Sequence, residues 1–164
     1  MVFRCALQDA LILQLFAGRI ILLANKRETP MSIYLLELMP EKRSLRIFCA
    51  EDNTILGEIM VRLFTQAGHT VEHAADGLEA WERLSEDVGR FDLLVTDNQM
   101  PGLNGLELVE LLRQANYRGR IIVHSSSLTP RETESYRVLG VDSIVLKTTP
   151  AEVLLGLVKA FAES

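Results

Sequence analysis

The chain has 164 residues, 48% of them hydrophobic and 24% charged, with a formal net charge of −5. That length suits one compact domain plus an extension, and the composition excludes wholesale disorder. Two cysteines, Cys5 and Cys49, can build neither a disulfide framework nor a four-ligand zinc site, so a reducing, cytoplasmic setting is expected. The acidic balance argues against nucleic acid as a partner, because phosphate binding needs clustered Lys and Arg.

Charge divides the chain unevenly. Residues 1–44 carry six Lys and Arg against four Asp and Glu, whereas residues 45–164 carry eleven against eighteen. The boundary is expected at the charged run Pro40-Glu41-Lys42-Arg43-Ser44, giving an N-terminal extension (1–44) and a main domain (45–164).

In chain order, residues 5–24 come first. They are strongly apolar but interrupted by Asp9, Gln14 and Arg19. A membrane-spanning helix wants roughly 20 nearly unbroken apolar residues, so a membrane anchor is disfavoured. No small-x-small cleavage site follows, which disfavours a signal peptide. The stretch is expected to be helical. Three readings stay open: a helix packed on the domain, a helix that makes a homodimer, or a segment ahead of a true start at Met31 or Met39.

From Leu45 onward the pattern becomes regular. Apolar runs of strand length occur at 45–50, 70–74, 92–96, 120–124 and 143–146, with helical patterns at 54–67, 77–88, 104–116, 130–139 and 150–162. Gly68 and Gly140 fall where helices should stop. Thr129-Pro130-Arg131-Glu132 and Thr149-Pro150-Ala151-Glu152 each offer a capping residue, a first-turn proline and a third-position glutamate. Such alternation predicts an α/β domain whose five-stranded parallel sheet is covered by helices on both faces.

Ligands of such sheets bind beyond the carboxyl ends of the strands. Glu51-Asp52 follows the first run, Asp97 the third, Ser125 the fourth and Lys147 the fifth. With strand order 2-1-3-4-5 these ends are neighbours. Three crowded carboxylates repel one another unless a cation joins them, and an all-oxygen set suits a hard divalent ion such as Mg2+. Magnesium takes one or two carboxylates, which leaves one free to attack phosphorus and form an acyl phosphate. Lys147 supplies a cation for the transferring group and Ser125 a hydrogen bond.

Residues 45–164 resemble a response-regulator receiver domain of two-component signalling. The resemblance rests on Ala50-Glu51-Asp52-Asn53, on Asp97-Asn98-Gln99-Met100-Pro101-Gly102-Leu103-Asn104-Gly105, and on Ser125 and Lys147. It implies a flavodoxin-like sheet of order 2-1-3-4-5. It also implies that Asp97 is the phosphoacceptor, and that Glu51, Asp52, Asp97 and the backbone carbonyl of Gln99 hold Mg2+. Ser125 becomes the switch hydroxyl and Lys147 the family's lysine. The expected partners are a sensor histidine kinase or histidine phosphotransfer protein, and a downstream protein target. Such a domain promotes only its own phosphorylation and dephosphorylation and is otherwise no enzyme. Only one helix follows Lys147, so a stand-alone regulator is expected, acting through a changed surface around its fourth and fifth helices or by relaying phosphate.

Two departures from the family pattern stand out. Thr148 and Thr149 intervene between Lys147 and Pro150, and Ile144 occupies the position three before the lysine, where the family often has an aromatic residue. Taken singly, each site residue also has a plainer reading: Asp52 or Asn53 as a helix cap, Ser125 as a polar loop, Lys147 as a surface lysine. Four strand ends of the required type together do not.

Three other functions fit less well. A pseudo-receiver acting as an interaction module is opposed by intact Glu51, Asp52, Asp97 and Lys147. A flavin-binding protein needs a phosphate loop where the two acids stand, and an aspartyl-phosphate phosphatase needs an acid where Gln99 stands. His69 and His73 are expected at the surface, His124 as a satisfied or partly buried imidazole, and Trp81 on a core-facing helix side. Leu154, Leu157, Val158 and Phe161 should face the sheet, leaving Val153, Leu155, Ala160 and Ala162 as a partner or dimer surface.

Overall fold

A computed structural model describes residues 43–163, and the backbone of 12–16 and 19–23. The chain divides into two compact units, Met1–Lys42 and Arg43–Ser164. In the first unit β1 (Ile12–Phe16) pairs antiparallel with β2 (Arg19–Leu23). This corrects the expected helix. Two five-residue runs, rich in Ile, Leu and Phe, are separated in sequence by Ala17-Gly18, the spacing of a tight hairpin. The remaining expectations for residues 1–42, including alternative starts at Met31 or Met39, lie outside the described residues.

The second unit contains β3 (Arg46–Ala50), α1 (Thr54–Gln66), β4 (Thr70–Ala74), α2 (Gly77–Glu86) and β5 (Leu93–Thr96). Then follow α3 (Gly105–Gln114), β6 (Arg120–Ser125), α4 (Pro130–Val138), β7 (Ser143–Leu146) and α5 (Ala151–Ala162). All strand pairs are parallel and the order is β4-β3-β5-β6-β7, the expected 2-1-3-4-5 arrangement.

Side-chain alternation along the strands splits the core in two. Phe48, Leu94, Ile121 and Val123 pack with Leu84, Leu108, Leu112 and Tyr136 on one face. Ile47, Cys49, Val95, Ile122 and Val145 pack with Met60, Phe64, Leu154 and Val158 on the other. Trp81 packs partly buried against the first cluster, as expected. On α5, Leu154, Val158 and Ala162 are buried while Leu155, Leu157 and Phe161 are half-buried. Ala162 therefore belongs to the core rather than to a surface patch.

Helix ends follow local chemistry. After α1, Gly68 takes φ +93°, and His69 N–H bonds the Phe64 carbonyl while Gly68 N–H bonds that of Thr65. Gly140 repeats the arrangement after α4 with φ +69°. These are Schellman closures, which need a left-handed residue and so favour glycine. Asn116 serves the same purpose after α3, at φ +64°. Thr129 and Glu132 form the expected capping box on α4. The matching expectation for Thr149 is corrected. Pro150 is the N-cap of α5 with no side-chain cap bond, and the Thr149 N–H closes a turn onto the Leu146 carbonyl.

Candidate functional site

The parallel register brings the ends of β3 and β5 level, with Ala50 opposite Thr96, so the residues that follow, Glu51 and Asp97, emerge side by side. β6 and β7 are likewise in register at Ser125 and Leu146, which delivers Lys147 to the same edge. The turn is fixed by the Lys147 N–H, which donates to the Ser125 carbonyl at 2.8 Å.

Glu51 and Asp97 are buried and Asp52 is exposed, and each of the three offers an oxygen within 4.8 Å of the others. Among the described residues no other such group of three metal-ligating side chains occurs. The Lys147 ammonium donates to Asp97 Oδ2 at 2.6 Å and to Glu51 Oε1 at 2.8 Å. Burial works against that ammonium, but the bonds to Asp97 and Glu51 outweigh it and hold its pKa above the usual lysine value. Burial pushes the Glu51 carboxyl up, against the opposing pull of Lys147. Glu51 Oε2 is buried with no hydrogen-bond partner. A buried carboxylate oxygen left bare beside two more carboxylates fits a hard divalent cation. Glu51, Asp52 and Asp97 are the residues that could hold one.

Gln99 and Asp52 line one open cleft of about 530 Å³ together with Asn98, Met100, Pro101, Asn104, Leu106 and Glu132. Ser125 is buried, and its hydroxyl donates to the Ser127 carbonyl at 3.0 Å. Ile144 stands on β7 at 37% exposure, turned outward, and Leu146 is exposed beside it.

Two of the histidine expectations need correcting. His69 is buried, not superficial, and its Nδ1 accepts the Leu45 N–H. His73 is half-buried, with Nε2 2.8 Å from the Glu51 carbonyl. Gly57 makes room for it, since a Cβ there would stand 2.3 Å from His73 Nε2. For His124 the buried alternative holds, while its Nδ1 has no hydrogen-bond partner. Burial, then the Lys147 charge, lower its pKa and favour the neutral ring.

Sequence reasoning missed Asn98. It is buried directly after Asp97, and its backbone N–H donates to Asp97 Oδ1 at 2.6 Å. Its side chain reaches α4, where the Tyr136 hydroxyl donates to Asn98 Oδ1 at 2.6 Å and Asn98 Nδ2 donates to Glu132 Oε1 at 2.9 Å. In the sequence Asn98 stood only as one member of the Asp97–Gly105 run, with no role of its own.

Comparison with known proteins agrees with this geometry. The family model described as "Response regulator receiver domain" matches residues 47–159. The chain belongs to this family. The receiver domain is 40% identical over 100 residues to the response regulator MprA of Mycobacterium ulcerans, covering 61% of this chain and 40% of that relative. It is 28% identical over 102 residues to the transcription factor SKN7 of Chaetomium thermophilum, covering 62% of this chain and 13% of that one. The chain thus spans less than half the length of either curated relative. Among solved structures, the chemotaxis protein CheY4 of Vibrio cholerae superposes with TM-score 0.65 at 25% identity, covering 72% of this chain and 98% of CheY4. A CheY-like receiver domain protein of Methanospirillum hungatei superposes with TM-score 0.68 at 21% identity, covering 73% and 94%, and shows the fold alone. Magnesium binding and phosphorylation are typical of receiver domains. No described helix is long and apolar enough to cross a membrane.

Proposed function

We propose that Asp97 accepts a phosphoryl group from a phosphohistidine donor, either a sensor histidine kinase or a histidine phosphotransfer protein, in a Mg2+-dependent reaction. One observation carries this reading. The Lys147 ammonium bonds Asp97 and Glu51 together while Glu51 Oε2 is left buried and bare. In the transfer, the N–P bond of the donor breaks and a P–O bond to an Asp97 carboxylate oxygen forms. The donor imidazole, protonated on its other nitrogen, leaves neutral.

Glu51, Asp52, Asp97 and the Gln99 backbone carbonyl would hold the magnesium ion, which supplies charge neutralisation to the phosphoryl oxygens. Lys147, already bonded to Asp97, would pair with the negative charge of the phosphoryl oxygens as the group is transferred there. The Ser125 hydroxyl, released from the Ser127 carbonyl, donates to a phosphoryl oxygen. The domain (45–164) promotes only its own phosphorylation and dephosphorylation. Its output is a changed protein-binding surface or onward transfer of the phosphoryl group, in the cytoplasm. The acidic charge of residues 45–164 suits a protein target better than nucleic acid.

The test is intact-mass analysis of the full chain incubated with acetyl phosphate, with and without Mg2+, beside Asp97→Asn. The expected result is a single Mg2+-dependent phosphoryl adduct that Asp97→Asn lacks. No adduct on the wild type would turn the reading toward a pseudo-receiver, a phosphorylation-independent interaction module. An adduct that persists in Asp97→Asn would mean a different nucleophile.

A further inference from the structure

Asn98 has a burial problem and an unusual solution. An amide side chain in the core costs free energy unless its donors and acceptor are bonded, and an apolar residue would fill the same space without that demand. Both ends of this amide are bonded, and both partners lie on α4: Tyr136 donates to Oδ1 and Glu132 accepts from Nδ2. The amide orientation is fixed by chemistry, because the reverse would set its oxygen against the Glu132 carboxylate. Residues 132 and 136 are one helical turn apart, so Asn98 grips a single face of α4 at two points.

The grip continues at both ends. Glu132 Oε2 accepts from the Thr129 N–H and hydroxyl, each at 2.7 Å, so the carboxylate that holds Asn98 also closes the first turn of α4. At the other end, the Asn98 N–H donates to Asp97 Oδ1 and the Asn98 carbonyl accepts from the Gly105 N–H at 2.9 Å. A Cβ at Gly105 would come within 2.0 Å of the Asp97 carbonyl and 2.9 Å of the Tyr136 hydroxyl, so this glycine lets the three segments meet. Meanwhile Ile144 lies exposed on β7 and offers no hydroxyl or ring to this polar chain.

We infer that Asn98 is a positioning residue that couples the state of the Asp97 carboxylate to helix α4 through Tyr136 and Glu132. The inference rests on Asp97 being the phosphoacceptor. Acyl-phosphate formation at Asp97 neutralises the carboxylate that the Asn98 N–H now faces and adds the phosphoryl group's charge beside it. Residue 98 readjusts, and its amide carries the shift to two points on α4. Because burial, with the neighbouring Glu132 charge, keeps the Tyr136 phenol protonated, the hydroxyl remains the donor in both states.

The test follows α4 backbone amides by NMR in the full chain, before and after excess acetyl phosphate with Mg2+, with adduct formation read in parallel by intact mass. The wild type, Asn98→Leu and Tyr136→Phe are compared. The expected result is that amides of residues 131–138 shift with phosphorylation in the wild type, and that this shift is lost in both variants although Asp97 still takes the phosphoryl group. A merely structural role would lower stability and leave the shift in place. Should Asn98→Leu fail to fold, Tyr136→Phe and Glu132→Gln, which keep the packing, decide the matter. An α4 shift that persists in the folded variants, or a phosphorylated wild type without one, overturns the coupling and leaves the phosphoacceptor reading intact. A wild type that takes no adduct overturns both.

Discussion

Lys147 donates a 2.6 Å hydrogen bond to Asp97 from the end of a strand 50 residues further along the chain. Its second bond, to Glu51, ties together two carboxylates that would otherwise repel each other across the sheet edge. Lys147→Met would leave two buried acids without a counter-ion, an expected loss of about 1–3 kcal/mol at neutral pH, since a buried charged acceptor loses its donor. The pKa of Lys147 is raised on folding, so its stabilising contribution is complete below the ordinary value of 10.5 and is lost as pH rises through the folded value. Urea midpoints of wild type and variant should therefore differ at pH 7 and converge in strong alkali. A constant gap across that range would argue against the ion-pair origin.

Glu51 shows the opposite sign. Burial raises the pKa of this acid, so its ionised form costs stability above the ordinary value of 4.5, and the cost is present at neutral pH. Glu51→Gln should leave thermal stability unchanged or higher in EDTA. Magnesium should raise the Tm of the wild type and lose most of that effect in the variant, because binding to the folded state alone stabilises by mass action. Calorimetry with EDTA and with Mg2+ checks both halves, and a clear drop in Tm for the variant in EDTA would contradict the sign.

Much of this domain was legible in the sequence for a physical reason. Parallel strands buried on both faces leave continuous apolar runs, and the acids, serine and lysine stand where those runs stop. Gly68 and Gly140 marked their helix ends because the left-handed closure there penalises a Cβ. Long-range hydrogen bonding was not legible. Asn98 stands 34 positions from Glu132 and 38 from Tyr136, and only the packing of α4 brings them together. His69 misled because a polar residue at a strand entrance reads as exposed, whereas here it accepts the Leu45 N–H. Thr149-Pro150 imitated a cap, yet the turn after Lys147 had already taken the Thr149 N–H.

Gly105 sits where three segments converge, and its φ is not the reason glycine is needed. Space is. A methyl group there would stand 2.0 Å from the Asp97 carbonyl oxygen, a backbone atom that cannot swing aside. Gly105→Ala should destabilise the fold by about 1–3 kcal/mol through overpacking, and should also slow Mg2+-dependent adduct formation by displacing the loop that carries Asp97. Gly156 provides the contrast, because a Cβ added there would meet nothing within 4 Å. Gly156→Ala in the middle of α5 should stabilise by about 0.5–1 kcal/mol. Equal effects of the two substitutions on urea midpoint would remove the steric explanation.

Glu132 carries the most direct solution signature of the contacts to α4. The Thr129 hydroxyl, Asn98 amide and Thr129 N–H lower its pKa to about 2, against an ordinary 4.5. An acid with a depressed folded pKa stabilises above its unfolded value and loses that contribution as pH falls through the folded one. The window is therefore pH 4.5 down to about 2. A carboxyl-detected NMR titration should place Glu132 near the bottom of that window in the wild type. In Asn98→Leu the midpoint should rise but stay below the ordinary value, because Thr129 still donates twice to the same carboxylate. In Thr129→Ala it should rise further, Thr129 being the larger contributor. If Glu132 titrated at its ordinary value in the wild type, the carboxylate would not be holding both Asn98 and the first turn of α4 in solution.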